Sequence, residues 1–484
     1  MTEQALPDLE TRAELAKLAA LLDLPGDQLT GLRGSGAANI RRLRRRILQS
    51  AFEGRRDRFA RLERLTRLLP KAMLARLAES AFGPLLSGRL VGEMNPIRAF
   101  KIAKRLPPGF LADTAMHVDP DKVRPIIRRL PAELIRDAAL ILVERKDYIT
   151  LGRFADALSA PAIRAVVAAV DDDAVLLHIA FYMEEKAQLS RILRMIDNDR
   201  VARIMRAGTE QDLWPEALSV IDNVDADLRG RLANIMAEQD EATLNGLVGV
   251  AHAQNLWGPV LRGMARMNPK YHRKIVNLPA VRDETVLGDL VNTAYRDGLL
   301  EAALPLARPM RREWQRVVAH AALAQGPEVA EAAMWAAHNV DQWDVAIDLF
   351  EYTDDGERDM IARLPIAANK HVLESLIATA ARTGRLGLLL DFVERMETAG
   401  QRSAAEVSLA NDGDLLESIL DAARATGGWA AVAVALSSVE ADNLGQAGEV
   451  YRRQSADDQA AFQAAARDRG VWDQLAPALE GAPA

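Results

Sequence analysis

The side chains best able to do chemistry are thinly spread along this chain. Its seven histidines, His117, His178, His252, His272, His320, His338 and His371, form no H-x-x-x-H pair and sit in no cluster of metal-ligating residue types. Cysteine is absent, which removes disulfides and thiolate metal sites. Asp171-Asp172-Asp173 could attract Mg²⁺ or Ca²⁺, but three acids ahead of an apolar run read better as a helix N-terminus meeting the helix dipole. Asp354-Asp355-Gly356-Glu357 lacks the spacing of an EF-hand and reads as an inter-helix turn. No P-loop, nucleophile elbow or dinucleotide-binding glycine motif stands in a strand–helix setting. The expectation is a protein without catalysis, cofactor or metal.

The one dense functional signal is arginine. From Arg41 to Arg67 there are eleven arginines, no lysine and three acids. Guanidinium groups make bidentate contacts to phosphate and carboxylate, so Arg41, Arg42, Arg44, Arg45, Arg46, Arg55, Arg56 and Arg58 are candidate polyanion-binding residues. Nucleic acid and an anionic membrane surface share that electrostatic signature. The apolar positions Ile40, Leu43, Ile47 and Leu48, then Phe59, Leu62 and Leu65, recur at helical spacing, which also fits a cap sealing the end of a helical array. A third reading is weak, salt-sensitive self-association. Residues 1–110 carry 21 basic against 11 acidic side chains, whereas residues 330–484 carry 12 against 26, so the formal net charge of −7 conceals opposite ends. Just upstream, Leu29 to Ile40 resembles the hairpin of helix–hairpin–helix DNA-binding modules, whose G-h-G loop offers backbone N–H groups to phosphate. Ser35 stands where that loop has an aliphatic residue, and a turn before a basic helix is the favoured reading.

The elements that must carry these residues are legible in a lattice. Steps of 43 residues from Trp214 reach Trp257, Leu300, Trp343, Leu386, Trp429 and Trp472, which places five of the seven tryptophans in one register. Six residues before each marker stand Gly208, Ala251, Ala294, Ala337, Ala380, Ala423 and Ala466, a column of small side chains. Ten before come Ile204, Leu247, Leu290, Ala333, Leu376, Ile419 and Phe462, on the same helical face as the small column. The marker and the positions four and seven beyond it form the apolar stripe of a second helix, and a column at +18 predicts a third, shorter one. Neither stripe can be buried alone, so adjacent units must stack. The pattern predicts an all-α, right-handed α-solenoid of HEAT- or armadillo-like repeats, about six and a half of them over residues 201–484. Trp314 and Trp335 lie off the lattice and are candidate partner anchors.

The N-terminal half keeps a different beat. Met94-Asn95-Pro96, Leu106-Pro107-Pro108, Val118-Asp119-Pro120 and Leu130-Pro131 recur every 12 residues, with Asn95 and Asp119 as caps and proline at the first helical position. The run MNPIRAFKIAKRLPPGFLADTAMHVDPDKVRPIIRRLPAELI resembles the N-terminal superhelical domain of MgtE-type magnesium transporters over roughly residues 68–205. That resemblance implies a chain of short helices and carries over no metal-binding residue. The nucleotide-sensing and membrane domains that follow in those transporters are not seen here, so it does not imply transport. The expected organisation is a basic helical N-terminal segment (1–67), an MgtE-like superhelical domain (68–200) and the repeat array (201–484). No apolar run approaches the roughly 20 residues that span a bilayer, and the N-terminus is acidic and unlike a secretory signal. A cytoplasmic, non-enzymatic scaffold for a protein partner is the leading expectation, with polyanion association as its rival.

Overall fold

The computed structural model describes residues 8–53, 69–410 and 413–480. Every element among them is helical, which makes this an all-α, solenoid-like fold. No helix among the described residues is long and apolar enough to cross a membrane. The chain divides into two compact units, Met1–Tyr271 and His272–Ala484, at a point inside the 43-residue array.

The first unit opens with α1 (Leu9–Leu22), capped by Asp8, whose carboxylate accepts the Thr11 N–H. A 3₁₀ segment (Gly26–Ser35) leads to α2 (Ala37–Glu53), and the two helices pack as a pair. The 12-residue beat then appears as helices at Pro96–Ala103, Pro108–Ala115, Pro120–Ile127 and Ala132–Glu144. Asn95 caps the first of these and Asp119 the third. Proline at N1 loses nothing, because that N–H has no intrahelical partner. Helices pack against their next-but-one neighbours, Pro96–Ala103 on Pro120–Ile127 and Tyr148–Ala155 on Asp173–Phe181. Such an array buries each short stripe against the following layer.

Each marker of the 43-residue lattice is the first residue of a helix: Trp214 and Trp257 in the first unit, Leu300, Trp343, Leu386, Trp429 and Trp472 in the second. All five lattice tryptophans are buried. The small column is the tightest feature of the array, since Ala251, Ala294, Ala337, Ala423 and Ala466 have no exposed surface at all. At Gly208 a Cβ would come within 3.3 Å of Leu177 Cδ2, which explains glycine at the head of the column.

Two further columns complete the register. Two residues before each marker the backbone turns left-handed, at Asp212, Asn255, Gly298, Asp341, Gly384, Gly427 and Gly470. Glycine, asparagine and aspartate tolerate that conformation best. The next N–H reaches back to the carbonyl of the small residue, from Leu213 to Gly208 at 2.7 Å and from Leu299 to Ala294 at 2.7 Å, closing a Schellman turn. At the other end of this helix Asp197, Asp240, Asp283, Gly326 and Asn369 hold the N-cap position 43 apart, and Ser455 holds it two steps further on, residue 412 between them lying outside the described residues. Each unit thus carries its own start and stop signals.

The third helix departs from expectation. It is long in alternate units, at Ala226–Ala237, Arg312–Ala324 and Thr398–Ala410, and shorter in those between, at His272–Ile275, Asp355–Ala362 and Gly445–Arg453. Pro269, Pro279 and Pro365 open 3₁₀ turns beside two of the short helices and limit their length.

Candidate functional site

The Arg-rich helix is partly turned inward. Its buried face runs through Ile40, Arg44 and the half-buried Ile47, with Ile40 packed on Leu18, Ala19 and Leu29. Leu43, expected on the apolar stripe, is 39% exposed, and Arg44 takes the inward place. The cause is Glu14 of α1, which has no exposed surface. Its Oε1 meets Lys17 Nζ at 2.9 Å and Arg41 Nε at 3.1 Å, and its Oε2 meets Arg44 Nη2 at 3.2 Å. Arg41 also reaches Glu10 at 2.8 Å. From the array, Glu184 pairs with Arg44, with Lys17 at 3.7 Å and with Arg45 at 3.4 Å. Burial alone would raise the Glu184 carboxyl, but Lys17, Arg44 and Arg41 outweigh it and hold the group below its ordinary value. The α1–α2 pair is therefore pinned to the array by a buried ion cluster, with Arg12 adding a 3.2 Å bond to Gln254.

The candidate arginines consequently divide. Arg41 and Arg44 are engaged internally, Arg42 and Arg46 face solvent, and Arg45 is exposed while touching Glu184. Arg55, Arg56 and Arg58 lie outside the described residues, as do Phe59, Leu62 and Leu65.

Glu184 is held in place by Asp156, whose Oδ2 accepts the N–H groups of Glu184 at 3.0 Å and Glu185 at 3.3 Å. Asp156 is buried, its Oδ1 has no hydrogen-bond partner, and burial pushes its carboxyl up to about 6 from an ordinary 3.8. A raised carboxyl favours the folded state while protonated. Its stabilising contribution is complete below about pH 4 and is lost as pH rises through about 6. Asp156→Asn keeps an acceptor for both N–H groups without the buried charge. It is expected to be more stable than wild type at pH 7.5, by roughly 3 kcal/mol for a shift of this size, and to converge on wild type near pH 4. Urea unfolding of both proteins across that range checks the sign.

In the second unit, Trp335 is 38% exposed and is the one exposed tryptophan among the described residues. Its ring stands edge-on to His338, 5.9 Å between centroids, and His338 lies 6.5 Å from Trp343. Ser375 Oγ joins this group from the next unit, 3.0 Å from His338 Nδ1 and accepting the Trp343 indole N–H at 2.9 Å. A fixed base therefore presents an open indole. The residues just before it, Ala333 and Met334, line an apolar cavity of 140 Å³ whose only polar linings are Thr353 and Arg385. Trp314, the other off-lattice candidate, is half-buried, and its indole N–H is enclosed without a partner. It belongs to packing.

Among the described residues no group of three or more His, Asp or Glu is placed to hold a metal ion. Asp172 caps helix Asp173–Phe181 and Asp173 pairs with Arg200 at 2.9 Å, while Asp354 and Glu357 form a capping box. Sequence reasoning missed Glu14, Lys17, Glu184 and Asp156. The available signal was the spacing of Glu14, Lys17 and Leu18, which puts two charges on the inward face of α1. No protein-family model matches this chain, and no curated protein shows significant similarity to it.

Proposed function

We propose that this protein is a non-catalytic cytosolic scaffold that holds a protein partner on the surface of its 43-residue repeats. The observation carrying this reading is Trp335. Every lattice tryptophan is spent on the core, whereas this off-lattice one stands open on a fixed aromatic base beside an apolar cavity. Rigid, half-exposed tryptophans of this kind are the residue type most enriched at interface hot spots. The test is photocrosslinking in cells from a photoreactive residue placed at Trp335 of the full chain, in parallel with one at Arg42. A discrete protein adduct from position 335, lost when Trp343→Ala removes the base, supports the scaffold. No protein adduct from 335 would reject it.

One observation favours the second reading, association with nucleic acid or an anionic membrane. Arg42, Arg45 and Arg46 face solvent together on α2. Such binding would fall steeply with salt, as neutralised phosphates release counterions. Changing Arg42 and Arg46 to glutamine tests it while leaving in place Arg41, Arg44 and Arg45, whose loss would disturb the ion cluster itself.

A further inference from the structure

Large apolar side chains stand open to solvent in the first unit. Met73 is 50% and Ile97 54% exposed, 24 residues apart near the starts of two helices, Lys71–Leu77 and Pro96–Ala103. Those helices pack on one another, and Pro96–Ala103 packs in turn on Pro120–Ile127. On Pro96–Ala103 the core takes Ala99, Ile102 and Ala103, which leaves Ile97, Lys101 and Lys104 together on the opposite side at helical spacing. The same geometry puts the exposed Arg76 beside Met73 and turns Arg128, 24 residues after Lys104, outward at the end of the third helix. The three helices therefore share one solvent face. Its apolar edge is Met73 and Ile97, and its cationic edge, at Lys104 and Arg128, lies roughly 10 Å further along the helices.

These cations are not neutralised. Exposed arginines elsewhere are paired, Arg145 with Asp113, Arg194 with Asp225 and Arg424 with Asp458. Among the described residues Arg76, Lys101, Lys104 and Arg128 have no acidic partner, and Lys104 lies instead over the Phe100 ring at 5.7 Å. Asp121, on the third helix, is already taken by Arg124 at 2.7 Å. The complement of such a face is an anionic surface. The apolar edge selects which kind, because aliphatic side chains enter the headgroup boundary of a bilayer, whereas stacking on bases calls for aromatic ones. Among the described residues of the first unit, no large exposed apolar side chain is aromatic.

We infer that this face docks on an anionic lipid bilayer, with Met73 and Ile97 entering the acyl boundary and Arg76, Lys101, Lys104 and Arg128 resting on the headgroups. It is distinct from the Trp335 surface and from Arg42 and Arg46 of α2, so each assignment can fail alone. The test is cosedimentation of the full-length protein with vesicles of equal parts phosphatidylcholine and phosphatidylserine, and with phosphatidylcholine alone. Wild type is expected on the mixed vesicles only, with binding that weakens as salt rises. Each cation near an anionic leaflet strengthens binding about fivefold, so Lys101→Gln, Lys104→Gln and Arg128→Gln combined should weaken it about a hundredfold. Met73→Ser with Ile97→Ser should weaken it about tenfold, and Arg42→Gln with Arg46→Gln should cost less than the triple change. All of these positions are exposed, and circular dichroism confirms folding. No binding to the mixed vesicles, or a folded triple variant that binds as wild type does, would overturn the assignment. A loss from the α2 pair as large as that from the triple change would move the contact to α2 and overturn it too. Competition by a DNA duplex, together with undiminished binding by the Met73→Ser, Ile97→Ser variant, would mark a nucleic-acid face instead.

Discussion

Replacing Glu14 with Gln is expected to cost the fold about 3–5 kcal/mol, the range seen when one partner of a buried ion pair is removed. The carboxylate has no exposed surface and is the common partner of Lys17, Arg41 and Arg44, two of which are themselves buried. Without it, those cations keep Glu184 and Glu10 but exceed them in number. The loss should be local first. Hydrogen exchange over residues 8–53 should accelerate under conditions where the small column of the repeats stays protected, because the cluster pins the α1–α2 pair rather than the array. Arg46→Gln, one turn away on the solvent face, should change stability by only about 0.5 kcal/mol. An equally small effect from Glu14→Gln would mean that the pair is held by its apolar contacts alone.

Trp257→Ala carries the other large expectation, a loss of about 3–5 kcal/mol from cavity formation. Trp257 is 1% exposed, and its indole N–H has no hydrogen-bond partner, so the cost is almost purely one of packing. Trp335→Ala is the internal control and should cost about 0.5 kcal/mol, as surface changes do. Urea unfolding of the three proteins measures the contrast. A tryptophan on the lattice that can be deleted as cheaply as Trp335 would break the equivalence of the markers.

What the sequence made legible was the grammar that each unit repeats locally. The markers, the small column and the proline-opened helices at Pro96, Pro108 and Pro120 all depend on neighbours within a few turns, so their spacing survives in one dimension. The left-handed column from Asp212 to Gly470 was equally readable, as residues of only three types at a fixed distance before each marker. The inward turn of Arg44 was not legible, because its partner Glu184 lies 140 residues away and no local pattern announces a long-range charge pair. Leu43 was misplaced for the same reason: Arg44, one residue on, takes the inward place beside Ile40 and Ile47 because of that pairing rather than hydrophobicity. Of the candidate anchors, Trp335 and Trp314 are alike in sequence, and only the surrounding packing separates an open indole from an enclosed one.

The central claim is that the 43-residue units are structurally equivalent, each closing on its own small residue. Denaturant unfolding of Ala294→Leu and Ala380→Leu in the full-length chain tests it most directly. Both alanines are buried, at 0% and 1% exposure, under a Schellman turn in which their carbonyls accept the N–H groups of Leu299 and Arg385. Each substitution is predicted to lower stability by about 1–3 kcal/mol through overpacking, and by similar amounts. Either leucine accommodated without loss would show that its column position has room to spare, and would contradict the register on which the account rests.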